Sequence, residues 1–266
     1  MCNEYRPDYA KDCFRYARKF HNCLSVRNLS TLKTLSTDRR LHAMKTLSAL
    51  AKFLGMHQEF QSLIKAYGLK WSVNNDDVIL ARLSRNATSD DLFAWIKTVK
   101  HEIPTLEPFM DFITATGLRF DEAINSFNMI AQNTSAHARN ETQQSLEHFK
   151  FRRVFIRRTK KCFCSFVPKE LIEKIHSPIT HDMIKKRLQR RGMRSRFAEI
   201  LEYYATYSTK HLRQAEIDFC QGRMSATVFA RNYFNPSLIA DLKNRAITNA
   251  NELLESVQTV HSICTA

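Results

Sequence analysis

The stretch DFCQGRMSATVFARNYFNP, residues 218–236, sets a Gly222-Arg223 pair ten residues ahead of Tyr233. A tyrosine oxygen attacks phosphorus once its proton is gone, and removing that proton at pH 7 from a group with pKa near 10 costs roughly 4 kcal/mol. Guanidinium groups around a phosphodiester lower that cost and stabilise the extra negative charge of a pentavalent transition state. Arginine suits this better than lysine because its planar fork binds two phosphate oxygens at once. The leaving oxygen then needs a proton, which a lysine on a nearby hairpin can deliver. The chain has these parts. Three of its five glycines fall within two residues of an arginine: Gly117-Leu-Arg119, Gly192-Met-Arg194 and Gly222-Arg223. A glycine at a helix end permits a sharp turn, so an arginine beside it projects from a rigid element into the space beyond. Lys160 and Lys161 sit between two β-rich runs.

Helices must position most of these residues. Residues 5–24 read as a helix with Phe14, Ala17 and Phe20 on one face. In STDRRLHAMKTLSALAKFLG, Ser36, Thr37 or Asp38 can cap a helix whose stripe is Leu41, Met44, Leu47, Leu50, Ala51 and Leu54, with Gly55 to end it. A shorter helix over residues 57–67 closes at Gly68. The outer faces carry Arg39, Arg40, Lys45, Lys52, Lys65 and Lys70, which suits contact with phosphates. Turn chemistry in residues 72–88 marks a boundary, giving domains at 1–75 and 76–266. The second domain opens with a helix capped at Ser89 or Asp90. A break at Pro104–Pro108 follows, then a helix to Gly117 and another from Leu118 onward. KFRRVFIRRTKKCFCSFVP changes to a β pattern, predicting a hairpin around residues 158–161 that stops at Pro168. Helical periodicity returns to the C-terminus, with a last long segment from Pro236. The fold class is mainly α with a small β-hairpin or sheet, in two domains.

Composition narrows the partners. Lysine and arginine number 41 against 26 acidic residues, a net charge of +15. Such an excess points to a polyanion, nucleic acid first and an anionic membrane surface second. The charge concentrates in residues 1–85 and 150–196, as if two surfaces grip one extended ligand. No apolar run approaches membrane-spanning length, and the N-terminus lacks the apolar core of a signal peptide, so a cytoplasmic protein is expected. Seven scattered cysteines and ten histidines form no paired metal spacing, and the chemistry above needs neither a metal nor an organic cofactor.

Together these segments resemble the tyrosine recombinases, in the archaeal integrase branch of fuselloviral type. TATGLRFDEAI is similar to the family's first arginine box, RRTKKCFCSFVP to its hairpin lysine, and EIDFCQGRMSATVFARNYFNP to its C-terminal box. HAMKTLSALAKFLG and KAYGLKW resemble the family's core-binding domain, so the likeness spans residues 25–245. The resemblance implies a helical core-binding domain followed by a catalytic domain. It also implies site-specific cleavage and rejoining of double-stranded DNA through a 3′-phosphotyrosine, and a homo-tetramer assembled on that DNA. By position, Arg119 and Arg223 would hold the phosphate, with Glu122 a structural partner of Arg119. Lys160, or its neighbour Lys161, would be the general acid and Tyr233 the nucleophile.

One box departs from the family pattern. Counting back about 22 residues from Arg223 puts Ala198 and Leu201 where a His- or Lys-x-x-Arg pair is expected, and the flanking residues support that register. Arg191-Gly-Met-Arg194 has the right chemistry but lies a turn and a half earlier. An insertion has moved the motif, or Arg194 or Arg196 reaches in instead, or the chain binds DNA and cleaves it poorly. The helix after Pro236, with Leu238, Ile239, Leu242, Leu253 and Leu254, either packs on its own domain or docks on a neighbouring subunit.

Overall fold

The computed structural model describes residues 7–71, 79–80, 83–84, 88–132, 139–140, 144–156, 161–223 and 234–259. The chain divides into two compact units, residues 1–86 and 87–266, each with a core of its own. Among the described residues no helix is long and apolar enough to cross a membrane.

The first unit is helical. Its principal helices are α1 (Pro7–Phe20), α2 (Thr37–Phe53) and α3 (His57–Ala66), with short helical turns at Asn22–Ser25 and Ser30–Lys33. The core gathers Phe20, Leu24, Leu29, Leu32, Met44, Leu47, Phe60 and Ile64. In α1 the inward stripe is Cys13, Tyr16, Ala17 and Phe20, an i, i+3, i+4, i+7 set, which leaves the expected Phe14 on the outside at 70 % exposure. Leu54 also falls outside, because α2 ends at Phe53 and the chain turns there toward Gly55 at φ +73°. Arg39, Lys45, Lys52, Lys65 and Lys70 are exposed and Arg40 is half-buried.

The second unit is built around one buried helix. Its larger helices are α4 (Ser89–Glu102), α5 (Glu107–Thr116), α6 (Phe120–Ala131), α7 (His181–Arg190), α8 (Phe197–Tyr207), α9 (Gln214–Cys220) and α10 (Leu242–Thr259). Every residue of α5 from Phe109 to Thr116 except Asp111 is buried, and α4, α6, α8 and α10 pack around it. A helix that is apolar on all sides belongs in such a position. Phe109 meets Phe127 and Phe197 edge to face, while Phe120 stacks on Phe197 with ring centroids 4.2 Å apart. The cap of α4 is Thr88, one residue earlier than the sequence suggests. Its hydroxyl accepts from the Asp91 amide and the Asp91 carboxylate accepts from the Thr88 amide, a reciprocal pair that only this register allows.

The β component differs from the expected hairpin. Three two-residue strands, β1 (Arg139–Asn140), β2 (Ser145–Leu146) and β3 (Ser165–Phe166), form an antiparallel sheet in the order β1-β2-β3. The run before Arg158 is no strand: Arg152–Phe155 is a helical turn that buries Phe155 against the His148 ring at 4.5 Å. A β-rich composition loses here to burial of one large side chain. A single antiparallel bridge, Ile156 to Lys161, closes the segment that contains residues 157–160.

The C-terminal helix packs within its own unit. Ala250, Leu253 and Val257 of α10 are buried, and Leu242 and Ala246 complete a smaller apolar cluster with Leu212 and Ile217. Leu254 is half-buried against the main core, and only Leu238 of the expected docking residues stands free at 81 % exposure.

Candidate active site

The first wall is the turn between α5 and α6. Gly117 ends α5 at φ +57°, and a Cβ there would lie 2.2 Å from the Tyr204 ring of α8. Both the left-handed backbone and the close approach of α8 therefore demand glycine. Leu118 is buried beyond it, and Arg119 takes extended backbone angles as the N-cap of α6. The residue is half-buried, and its Nη1 donates to the carbonyl oxygen of Lys161 at 3.0 Å. Glu122 lies 1 % exposed in the first turn of α6.

The Lys161 carbonyl is also the seat of the second wall. Helix α9 ends in a Schellman turn, with the Gly222 amide donating to the Phe219 carbonyl (3.1 Å) and the Arg223 amide to Asp218 (2.7 Å). Gly222 has φ +63°, and a Cβ built on it would fall 1.5 Å from the Lys161 oxygen. Phe163 stacks on Phe219 at 5.7 Å, so residues 161–163 run alongside the end of α9. One backbone carbonyl thus joins Arg119 to the Gly222-Arg223 turn across more than a hundred residues of sequence, with Arg223 exposed at the rim. Behind it Cys162 is buried, and its thiol is pushed well up, first by burial and then by the Glu122 charge, with Arg119 pulling the other way. Arg119 and Glu122 therefore both act on the segment that follows the lysines.

Lys160 and Tyr233 lie outside the described residues. The chain on either side of Tyr233 is anchored: Arg223 closes α9, and Phe234 packs 6.0 Å from Phe219. The unit has three other tyrosines, all on α8. Burial pushes the Tyr203 phenol up to about 12 and Tyr204, fully enclosed, further. Tyr207 is raised by burial and donates to Glu252 at 2.9 Å.

A family model described as archaeal phage integrase matches residues 85–249, more than half of the chain. The chain belongs to the archaeal phage integrase family. No match was found among curated proteins or among solved structures. For an integrase, DNA is the implied partner, and the matched span contains the Arg119 turn, the lysine segment, the Gly222-Arg223 turn and Tyr233.

Within this integrase the second arginine box has a physical description. Leu201 lies beside the site: the buried Gln221 side chain donates from Nε2 to the Leu201 carbonyl at 3.2 Å, tying α8 to the residue before Gly222. Leu201 itself is half-buried and brings no charge. Arg196, the N-cap of α8, is committed to the fold. Its Nε and Nη2 hold Glu199 at 2.8 and 2.6 Å, its Nη1 donates to the Asp91 carbonyl at 2.8 Å, and its side chain is 17 % exposed. Arg194 is 84 % exposed, with only a 3.7 Å approach to Glu199. It stands three residues before Phe197, whose ring stacks on Phe120, the neighbour of Arg119. Gln221 and Tyr204 are the positioning residues that pattern reading passes over. Gln221 was findable, since it follows Ile217 by four residues and so shares the buried face of α9.

Proposed function

We propose that this integrase cleaves and rejoins duplex DNA at specific sites, with Tyr233 as nucleophile. The observation that carries the reading is the meeting of Arg119 and the Gly222-Arg223 turn at the Lys161 carbonyl. The Tyr233 oxygen attacks the scissile phosphorus, its proton passing to solvent. The P–O bond to the 5′ side breaks, and the 5′ oxygen takes a proton from Lys160, with Lys161 the adjacent alternative. The product is a 3′-phosphotyrosyl link that keeps the energy of the broken ester, so attack by a 5′ hydroxyl reverses it and reseals a strand. Arg119 and Arg223 bind the nonbridging oxygens. Arg194 supplies the third guanidinium, since Arg196 is occupied by Glu199 and Asp91 while Arg194 is exposed three residues before Phe197, whose ring stacks on Phe120. Tyr203, Tyr204 and Tyr207 are held by packing with raised phenol pKa values, which favours Tyr233 as the attacking group. The first unit, with its basic exterior, also binds the duplex, and four copies assemble on DNA. The buried apolar residues of α10 are used within its own unit.

A second reading follows from Leu201, which occupies the position of a family arginine: a DNA-binding protein on the same scaffold without cleavage. One assay separates the two. Nicked duplexes selected for binding from a randomised pool are incubated with the protein and denatured. The enzyme reading expects a detergent-resistant protein–DNA adduct that disappears with Tyr233→Phe. Salt-sensitive binding with no adduct from either protein would establish the second reading instead.

A further inference from the structure

Residues 185–196, KKRLQRRGMRSR, hold seven basic residues, and the fold divides the six besides Arg194 into two groups. Arg187 donates to the Thr105 hydroxyl, Arg191 pairs with Glu102 at 2.8 Å, and Arg196 is bound by Glu199 and Asp91. These three turn inward and join α7 and the following turn to α4 and the start of α5. Lys185, Lys186 and Arg190 point the other way. All three are exposed, and no acidic group of the described residues lies within ion-pair distance of them. Ile184 and Leu188 are the buried positions of α7, so Lys186 and Arg190 project from the opposite face, one turn apart. Asp182 is the only acidic residue on the helix, and it faces His181.

Three like charges on a face of two turns repel one another, and internal neutralisation is available next door at Glu102 and Glu199. A face left uncompensated beside a compensated one fits an external polyanion. Its place in the fold indicates which one. The His181 ring at the start of α7 packs 5.0 Å from Phe120, the residue after Arg119. Lys185 to Arg190 then follow roughly 6–14 Å along the helix axis at 1.5 Å per residue. That reach is well within one turn of B-form duplex, about 34 Å.

We propose that Lys185, Lys186 and Arg190 form a phosphate-binding face for the duplex flanking the cleaved site, separate from the catalytic arginines. The inference rests on the recombinase reading. A Lys185→Gln/Lys186→Gln/Arg190→Gln variant of the full chain is compared with a charge-matched control, Lys169→Gln/Lys174→Gln/Lys210→Gln, on a fluorescent 30-base-pair duplex across a salt series. Each lost phosphate contact lowers the slope of log K against log salt by about 0.9, so the α7 variant should lose about 2–3 in slope. At 0.15 M salt this is roughly a 30- to 150-fold weaker affinity. The control should match the wild type, and thermal melting of both variants should coincide with it. An α7 slope equal to the control's overturns the proposal, as does lost affinity for anionic vesicles with duplex binding intact. Wild-type protein with no salt-dependent duplex binding would overturn the recombinase reading itself.

Discussion

Gly222 concentrates two demands on one residue: a left-handed backbone and a carbonyl oxygen where a Cβ would sit. The backbone demand alone costs an alanine roughly 1–2 kcal/mol, and the Lys161 segment must also move. Gly222→Ala should therefore shift the urea midpoint to a stability loss above about 1 kcal/mol and impair adduct formation more than binding. Gly55→Ala, with a similar φ but open space around it, should show only the backbone cost. Arg194 and Arg196 invite a paired comparison. Removing one guanidinium from a charged transition state costs about 10²–10³ in rate, so Arg194→Ala should slow adduct formation by that factor at unchanged thermal stability. Arg196→Ala should lower the melting temperature, because it releases Glu199 and Asp91. Equal melting temperatures for the two variants would contradict this division. The sequence pairs glycine with arginine at Gly117-Leu-Arg119 and Gly222-Arg223, and in the fold Arg119 and Gly222 meet at the Lys161 carbonyl. The partition of the arginines was not legible in the sequence, since Arg194, Arg196 and Leu201 differ by contacts to Asp91, Glu199 and Gln221 that no local spacing encodes.

Among the elements, α9 and α10 bracket the tyrosine segment, and one ion-pair cluster joins them. Arg245 of α10 grips the buried Glu216 of α9 through both guanidinium nitrogens at 2.7 and 2.8 Å and also reaches Asp241 and the His211 carbonyl. Breaking such a pair strands a buried carboxylate, so Arg245→Met should destabilise by about 3 kcal/mol, and adding Glu216→Gln should recover part of the loss. Arg245 holds the Glu216 carboxyl below its ordinary value near 4.5. A lowered carboxylate pKa contributes stability that is present above the unfolded value and is lost as pH falls through the folded one. Acidification below about pH 4.5 should therefore weaken the wild type. In Arg245→Met the stranded carboxyl is favoured by protonation, so its contribution should reverse sign; identical acid profiles would count against the cluster. The long helices were legible from their stripes and glycine ends. Strand β3 falls in the run that was expected to stop at Pro168, whereas β1 and β2 were not legible, because two-residue strands carry too few positions for alternation to register. In Arg152–Phe155 burial of Phe155 outweighed β propensity.

At the level of the whole molecule, residues 87–266 contain a complete core, the candidate site and nearly all of the family match. This unit expressed alone should unfold cooperatively and still form the covalent adduct on nicked duplex, with weaker and less salt-dependent binding because the basic exterior of the first unit is gone. A polyanion partner was legible from a charge of +15, in keeping with the DNA that an integrase family implies. The roles within the second unit depend on one atom above all, the tyrosine oxygen that joins DNA. The direct measurement is to trap wild-type protein on nicked duplex, digest it, and map the nucleotide-bearing peptide by mass spectrometry. The account predicts the modification on Tyr233, within the segment between Arg223 and Phe234. Modification of Tyr203, Tyr204 or Tyr207, or a covalent adduct that survives in Tyr233→Phe, would contradict it.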